Sequence, residues 1–283
     1  MIGRRGAIGL CVAALTLAGG LAAAEPAGDP ALRTVLAGPQ RAAGNVARDG
    51  ARHPYESLVF WGLKPNQTVI ELAPGGGYWT EILAPYARAT GGTYVAGVAD
   101  LANPALSAGA RNGRAAFEAK YADTATYGPI AYVGFGPVSG PLGAPGSADV
   151  VLTARNIHNF LWTPGQLDKV MADAFAVLKP GGVLAVEDHR ADPRPQIGDA
   201  RDGYVATATV IAAAEKAGFR LAAQSEINAN PKDTKDHPFG VWTLPPVRRG
   251  AQPPAPANPD FDRAKYDAIG ESDRMTLRFV KPQ

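Results

Sequence analysis

The run Glu71-Leu72-Ala73-Pro74-Gly75-Gly76-Gly77-Tyr78 sets an acid ahead of three successive glycines. Glycines accept positive φ and leave main-chain N–H groups unshielded, so such a loop at a helix start can receive a polar ligand. The same residues also serve where a strand merely turns tightly into a helix, and by themselves they leave both readings open. Farther on, Arg155-Asn156-Ile157-His158-Asn159 carries an imidazole able to take a proton from a hydroxyl or amine near neutral pH. His158 and Asn156 would equally tie down a sharp turn by hydrogen bonds, and Asn159 reads as structural. Asp188-His189-Arg190 is a third polar cluster, suited to substrate binding or to a solvated loop. Trp61, Trp79, Trp162 and Tyr78 offer faces for a cation or a flat ring, with Trp61 expected in the core.

Other chemistries find little support. The glycines do not follow the Gly-x-Gly-x-x-Gly spacing of a dinucleotide site, and phosphate is not the expected ligand. There is no Gly-x-Ser-x-Gly elbow, which counts against a serine hydrolase. His53, His158, His189 and His237 form no helical pair and have no carboxylate at ligand spacing, so no metal site is expected.

These residues need a scaffold, and the hydrophobic pattern supplies one. Thr68 to Leu72 reads as a buried strand, Tyr78 to Ala89 as a helix and Thr93 to Val98 as a second strand, which makes one βαβ unit. Ile130 to Phe135 is the only strand expected in the Gly- and Pro-rich stretch from Ala119 to Ser147. Ala148 to Thr153 is the next buried strand. Gln166 to Leu178 has the apolar spacing of an amphipathic helix, stopped by Pro180-Gly181-Gly182 ahead of a strand over Val183 to Asp188. A helix from Tyr204 to Lys216, a strand from Phe219 to Ser225 and a last strand from Met275 to Val280 complete the pattern. Upstream, Pro54 opens a helix that ends at Gly62. The expected fold is α/β: a three-layer, doubly wound, Rossmann-like sheet of about seven strands. Residues 25–283 form one domain, with a helical cap over 25–57 and a Pro-rich surface connection over 245–260.

The ends and the composition bound the setting. Arg4-Arg5, an uncharged run from Gly6 to Ala24 and the exit Ala22-Ala23-Ala24 spell a secretory signal peptide over 1–24, cut after Ala24. A periplasmic or secreted protein is expected, with no stable membrane insertion after cleavage. The lone cysteine, Cys11, leaves with that segment, so disulfides and thiol chemistry are excluded from the mature chain. With 28 basic and 26 acidic residues in 283, the formal charge of +2 provides no general field for nucleic acid.

Val177-Leu178-Lys179-Pro180-Gly181-Gly182-Val183-Leu184, behind Ala148 to Leu152 and the turn with His158, resembles the back half of class I S-adenosylmethionine-dependent methyltransferases in content and order. The front half is similar too: Glu71, Ala73, Gly75 and Gly77 stand where that family has its acid and alternating glycines, Ala73 replacing the first glycine. The resemblance spans roughly Leu58 to Lys281. Arg48-Asp49, Arg52-His53-Pro54, Thr80 to Pro85 and Asn156 to Asn159 further resemble a group of bacterial methyltransferases with export signals.

The resemblance implies S-adenosylmethionine as cofactor, bordered by Ala73, Pro74, Gly75, Gly76, Gly77, Tyr78 and Asn156. Glu71 would anchor the loop or the cofactor's amino end, and His158 would be the catalytic base toward a small-molecule acceptor. Two positions depart from the family. The ribose-holding acid aligns with Ala99, leaving Asp100 one residue beyond as the candidate, and Gly134-Phe135-Gly136 replaces the polar residue that often meets adenine. These departures, and a cofactor made in the cytoplasm, keep open the alternative of a non-catalytic binding protein on the same fold.

Overall fold

The computed structural model describes residues 28–256 and 258–283. The expected export segment, with Cys11, lies outside them. The chain divides into two units, Met1–Pro30 and Ala31–Gln283, and the architecture below belongs to the second.

In chain order the elements are α1 (Pro30–Leu36), α2 (Ala43–Val46), α3 (Asp49–Arg52), α4 (Pro54–Trp61), β1 (Thr68–Leu72), α5 (Thr80–Thr90), β2 (Thr93–Ala99), α6 (Ala108–Lys120), α7 (Thr124–Tyr127) and β3 (Ala131–Phe135). Then come β4 (Ala148–Ala154), α8 (Ile157–Phe160), α9 (Gln166–Val177), β5 (Leu178–His189), α10 (Thr207–Lys216), β6 (Arg220–Ser225), β7 (Pro238–Val241), α11 (Arg263–Ile269) and β8 (Arg274–Val280). Seven strands form one sheet in the order β3-β2-β1-β4-β5-β8-β6, and β7 stands apart from it. The pairs from β3 to β5 are parallel, and β8 runs antiparallel between β5 and β6.

The two-residue period of the strands sorts their side chains into two cores. Val69, Val150, Leu152, Val183 and Ala185 point to one face and pack with α1, α4, α5 and α6. Ile70, Leu72, Val151, Leu184 and Val186 point to the other and pack with α8, α9 and α10. Both faces are covered, which is why these strands read as continuous apolar runs and not as alternation. Strand order reverses between β1 and β4, so the carboxyl ends of these two strands open a crevice at the switch point, where a doubly wound sheet binds its ligand.

Several boundaries differ from expectation for identifiable reasons. The helix α9 ends at Val177 and β5 already begins at Leu178, because Leu178 pairs with Ala148 across an irregular register. Pro180-Gly181-Gly182 therefore lies inside the strand. Tyr204 to Ala206 precede α10 in extended form, since Val205 exchanges main-chain bonds with His189 and Ala191 at 2.9 Å. Helix α6 was not legible: among its thirteen residues only Phe117 is buried, so no apolar stripe marks it. Residues 245–256 and 258–260 carry no regular element, and most of them are exposed. Among the described residues no helix is long and apolar enough to cross a membrane.

Candidate functional site

The acid and the glycine loop sit at the crevice. Glu71 shares the face of Val69, so its carboxylate turns inward, where Oε2 accepts hydrogen bonds from Thr80 Oγ1 at 3.0 Å and Tyr94 OH at 2.6 Å. Burial lifts its pKa from the ordinary 4.5 to about 7, the two hydroxyl donors opposing that rise. Ala73 takes φ of +49°, the left-handed region that favours the glycine it replaces. Gly75 and Gly77 have φ of +58° and +85° but different surroundings. A Cβ at Gly75 would meet nothing nearer than the Ala73 carbonyl at 4.0 Å, and one at Gly76 nothing at all, so their main chain faces open space. A Cβ at Gly77 would lie 1.7 Å from the Tyr121 hydroxyl, which covers this glycine from α6. Gly77, expected along the cofactor with its neighbours, thus has its Cα side packed against Tyr121.

Two connected hollows flank the loop. One, of about 110 Å³, is bounded by Arg48, Arg52, Glu71, Gly75, Tyr78 and Asn156. The other, of about 360 Å³, runs past Pro74, Val98, Ala99, Gly113 and Phe117. Asn156 borders both and donates from Nδ2 to the Leu72 and Ala73 carbonyls at 3.1 and 3.3 Å, pinning the end of β4 to the loop. Asp100 borders neither. Its carboxylate accepts from the Ala102 N–H at 3.0 Å and covers Gly134, so the one-residue offset turns it away and Ala99 lines the hollow instead. Asp100, the candidate for holding the ribose, therefore lies outside the lining of both hollows.

Arginines close the smaller hollow. Arg48 and Arg52 pair with Glu271 at 2.8 and 2.9 Å, and Arg274 bridges Glu271 and Glu187 at 3.0 and 2.9 Å. The Arg52 guanidinium lies 4.5 Å from the centre of the Tyr78 ring, whose hydroxyl donates to Asp49 at 2.7 Å. One Nη2 on Arg48 and one on Arg52 are buried without a hydrogen-bond partner. Unsatisfied buried donors are costly unless a ligand supplies the acceptor. Trp79 packs edge-on against Trp61 at 5.5 Å, whereas Tyr78 turns to the arginines.

A third hollow, of about 200 Å³, adjoins these and is lined by Arg155, His158, His189, Trp242, Pro245 and Glu271. His158 Nδ1 lies 3.0 Å from Asp188 Oδ1, and Asp188 also accepts from the main-chain N–H groups of His158 and His189. A carboxylate only accepts, so Nδ1 carries the proton and Nε2 is left as the acceptor. The His189 ring stands 5.2 Å from that of His158. Burial, reinforced by His158, Arg155 and Arg274, drives its pKa well below the usual histidine range and keeps it neutral.

His158, Asp188 and His189 thus bring three ligand-type atoms within 4.8 Å of one another, a grouping that sequence spacing had not suggested. Asp188 is already occupied by three donors, and Arg155 and Arg274 oppose a further cation, so the geometry suits proton transfer better than metal binding. Arg190, expected beside the crevice, is instead paired with Asp273 and Glu226 at 3.0 and 2.8 Å. It borders a separate depression of about 740 Å³. The larger volume is not the chemical one: the open glycine backbone and the orphaned donors are elsewhere.

Sequence reasoning missed Arg155, Glu187, Glu271 and Arg274. Arg155 stood beside Asn156 in a polar turn and carried no signal that its side chain would be enclosed. The acids lie far along the chain and meet the arginines only through the antiparallel β8.

Solved structures share this architecture. A SAM-dependent methyltransferase from Aquifex aeolicus is similar over 83% of this chain and 93% of its own, with a TM-score of 0.50 and 16% identity. A candidate sarcosine dimethylglycine methyltransferase from Galdieria sulphuraria matches over 84% of this chain and 86% of its own, at a TM-score of 0.50 and 14% identity. The chain therefore has the class I methyltransferase fold, as the motifs around Gly75 and Gly181 implied. No protein-family model and no curated protein matches the sequence.

Proposed function

We propose that this chain is an exported S-adenosylmethionine-dependent methyltransferase acting on a small molecule. The observation that carries the reading is the open main chain of Gly75 and Gly76 at the switch point, in a hollow lined also by Glu71, Arg48 and Arg52. An amino-acid end of a ligand fits this donor and acceptor set: the arginines would hold its carboxylate and Glu71 its ammonium. The longer hollow past Val98 and Ala99 has room and apolar walls for a nucleoside. When bound, the cofactor supplies an electrophilic methyl group on a sulfonium.

The protein's own part is placement and proton handling. Asn156 holds the loop against the end of β4, so the bound partners meet at a set distance, and such positioning lowers a bimolecular barrier most. His158, oriented by Asp188, presents Nε2 to the third hollow and takes the proton that an acceptor hydroxyl or amine must lose. The rings of Trp162 and Trp242 pack edge-on to His158, 5.9 and 6.0 Å away, and help fix its orientation.

One observation favours a second reading, a binding protein without turnover: Asp100 turns from the hollow where a ribose-holding acid would stand. Calorimetric titration of the protein beginning at Glu25 separates the two. Micromolar binding of S-adenosylmethionine and S-adenosylhomocysteine is the expected result, and no heat with either would leave only the second. Export is checked by mass spectrometry of the amino terminus of the protein made with its full leader. A start at Glu25 is expected, and retention of Met1 to Ala24 would count against it.

A further inference from the structure

Arg155 is unlike every other arginine near the crevice. Its side chain makes no hydrogen bond and no ion pair among the described residues, although it lines both the smaller loop hollow and the histidine hollow. Arg48, Arg52 and Arg274 share Glu271 and Glu187. Arg155 makes a fourth guanidinium on these hollows, and unlike those three it has no carboxylate at ion-pair distance among the described residues. Burial pulls its pKa below the ordinary arginine range, with Glu187 and Glu271 opposing at longer reach. The residue also sits at φ of +57°, a conformation that costs an L side chain. A half-buried charge without an ion-pair partner among the described residues and a strained backbone at one residue mark a candidate binding position.

The walls around it describe what would complete it. Trp242 gives a flat apolar face, Pro245 and Pro246 give another, and neutral His189 and His158 complete the lining. The volume of about 200 Å³ is below the range of about 300–1,000 Å³ usual for drug-sized ligands, so a small ring fits and a polymer segment does not. We propose that the methyl acceptor is a small hydroxy acid with a flat ring, its carboxylate held by Arg155 and its hydroxyl directed to His158.

This rests on the transferase reading. In the step it implies, the hydroxyl gives its proton to His158 Nε2 and its oxygen forms a bond to the methyl carbon. The carbon–sulfur bond breaks with its electron pair going to sulfur, so the sulfonium charge is discharged and a neutral thioether leaves. The carboxylate takes no part beyond pairing with Arg155.

The test is binding, read by tryptophan fluorescence without cofactor. Probes are 4-hydroxybenzoate and 4-hydroxyphenylacetate, each beside its neutral amide. Saturable binding of at least one acid, at least tenfold tighter than its amide, is expected. Arg155→Gln should erase that preference and leave S-adenosylhomocysteine affinity within threefold, while Arg155→Lys restores part of the preference. Arg155→Met should melt no lower than the unaltered protein, which separates lost binding from lost folding. Amides binding as well as acids, or no acid binding, overturns the proposal. So does Arg155→Gln losing S-adenosylhomocysteine in parallel, since the guanidinium would then serve the cofactor's carboxylate. Acid binding without any S-adenosylhomocysteine binding to the unaltered protein would keep the acid site and sink the transferase reading.

Discussion

Gly75→Val is expected to weaken S-adenosylhomocysteine binding at least a hundredfold, about 3 kcal/mol, while the protein still folds. At φ of +58° a side chain costs roughly 1–2 kcal/mol in backbone strain. The added Cβ meets no protein atom nearer than 4.0 Å, and the side chain it carries takes up space in the hollow of about 110 Å³ that the ligand's amino-acid end would need. Gly77→Ala makes the contrast. There the new Cβ would fall 1.7 Å from the Tyr121 hydroxyl and 2.5 Å from its ring. Overpacking of about 1–3 kcal/mol then adds to a similar backbone term, and the loss appears in the melting temperature. Calorimetry and thermal melts on the two variants in parallel check this. Unchanged affinity in Gly75→Val would remove the loop from ligand binding altogether.

The second large effect belongs to Glu71 and is read as a pH profile. Its carboxyl has a folded pKa of about 7 against an ordinary 4.5, so the folded state holds the proton more tightly than the unfolded chain. Stability contributed by this group is therefore full below about pH 4.5, declines as pH rises and has been lost by about pH 7. At about 1.36 kcal/mol per pKa unit, the difference is on the order of 3 kcal/mol. Glu71→Gln keeps an oxygen for Thr80 and Tyr94 and never ionises. Urea unfolding should find the variant close to the unaltered protein at pH 4.5 and more stable by on the order of 2–4 kcal/mol at pH 8. Profiles that stay parallel would mean that Glu71 ionises as freely when folded as when unfolded. The same change should weaken S-adenosylhomocysteine, because the anion that destabilises the empty fold is the group offered to the ligand's ammonium. A carboxylate held at this cost fits the usual trade between stability and activity.

Much of the scaffold was legible because its causes are local. Thr68 to Leu72 is a short β-branched run bounded by polar residues and a glycine loop, and β1 has those same limits. Pro54 and Gly62 delimit α4 by their own backbone restrictions. The limits blurred where a distant partner decided them: Leu178 is extended because Ala148 lies beside it, and Val205 because β5 ends there. For α6 the mostly exposed face left no pattern to read.

The site divides in the same way. Glu71, the glycine loop, Asn156 and His158 were singled out from the chain because acids, glycines and imidazoles at strand ends announce their chemistry wherever they stand. What each faces was not in the chain. The separation of thirty positions from His158 to Asp188 closes only when β4 and β5 pair, and that pairing alone selects the tautomer.

By itself, then, the sequence determined the layered α/β fold, the place of the crevice and the glycine loop beside it, since propensity, periodicity and glycine conformation are properties of short segments. The tertiary structure decided that Tyr121 covers Gly77 and Gly75 stays open, that Asp100 turns away and that Arg155 lines two hollows without an ion-pair partner among the described residues. Burial and charge balance are sums over neighbours brought together by the sheet, and no segment carries them alone.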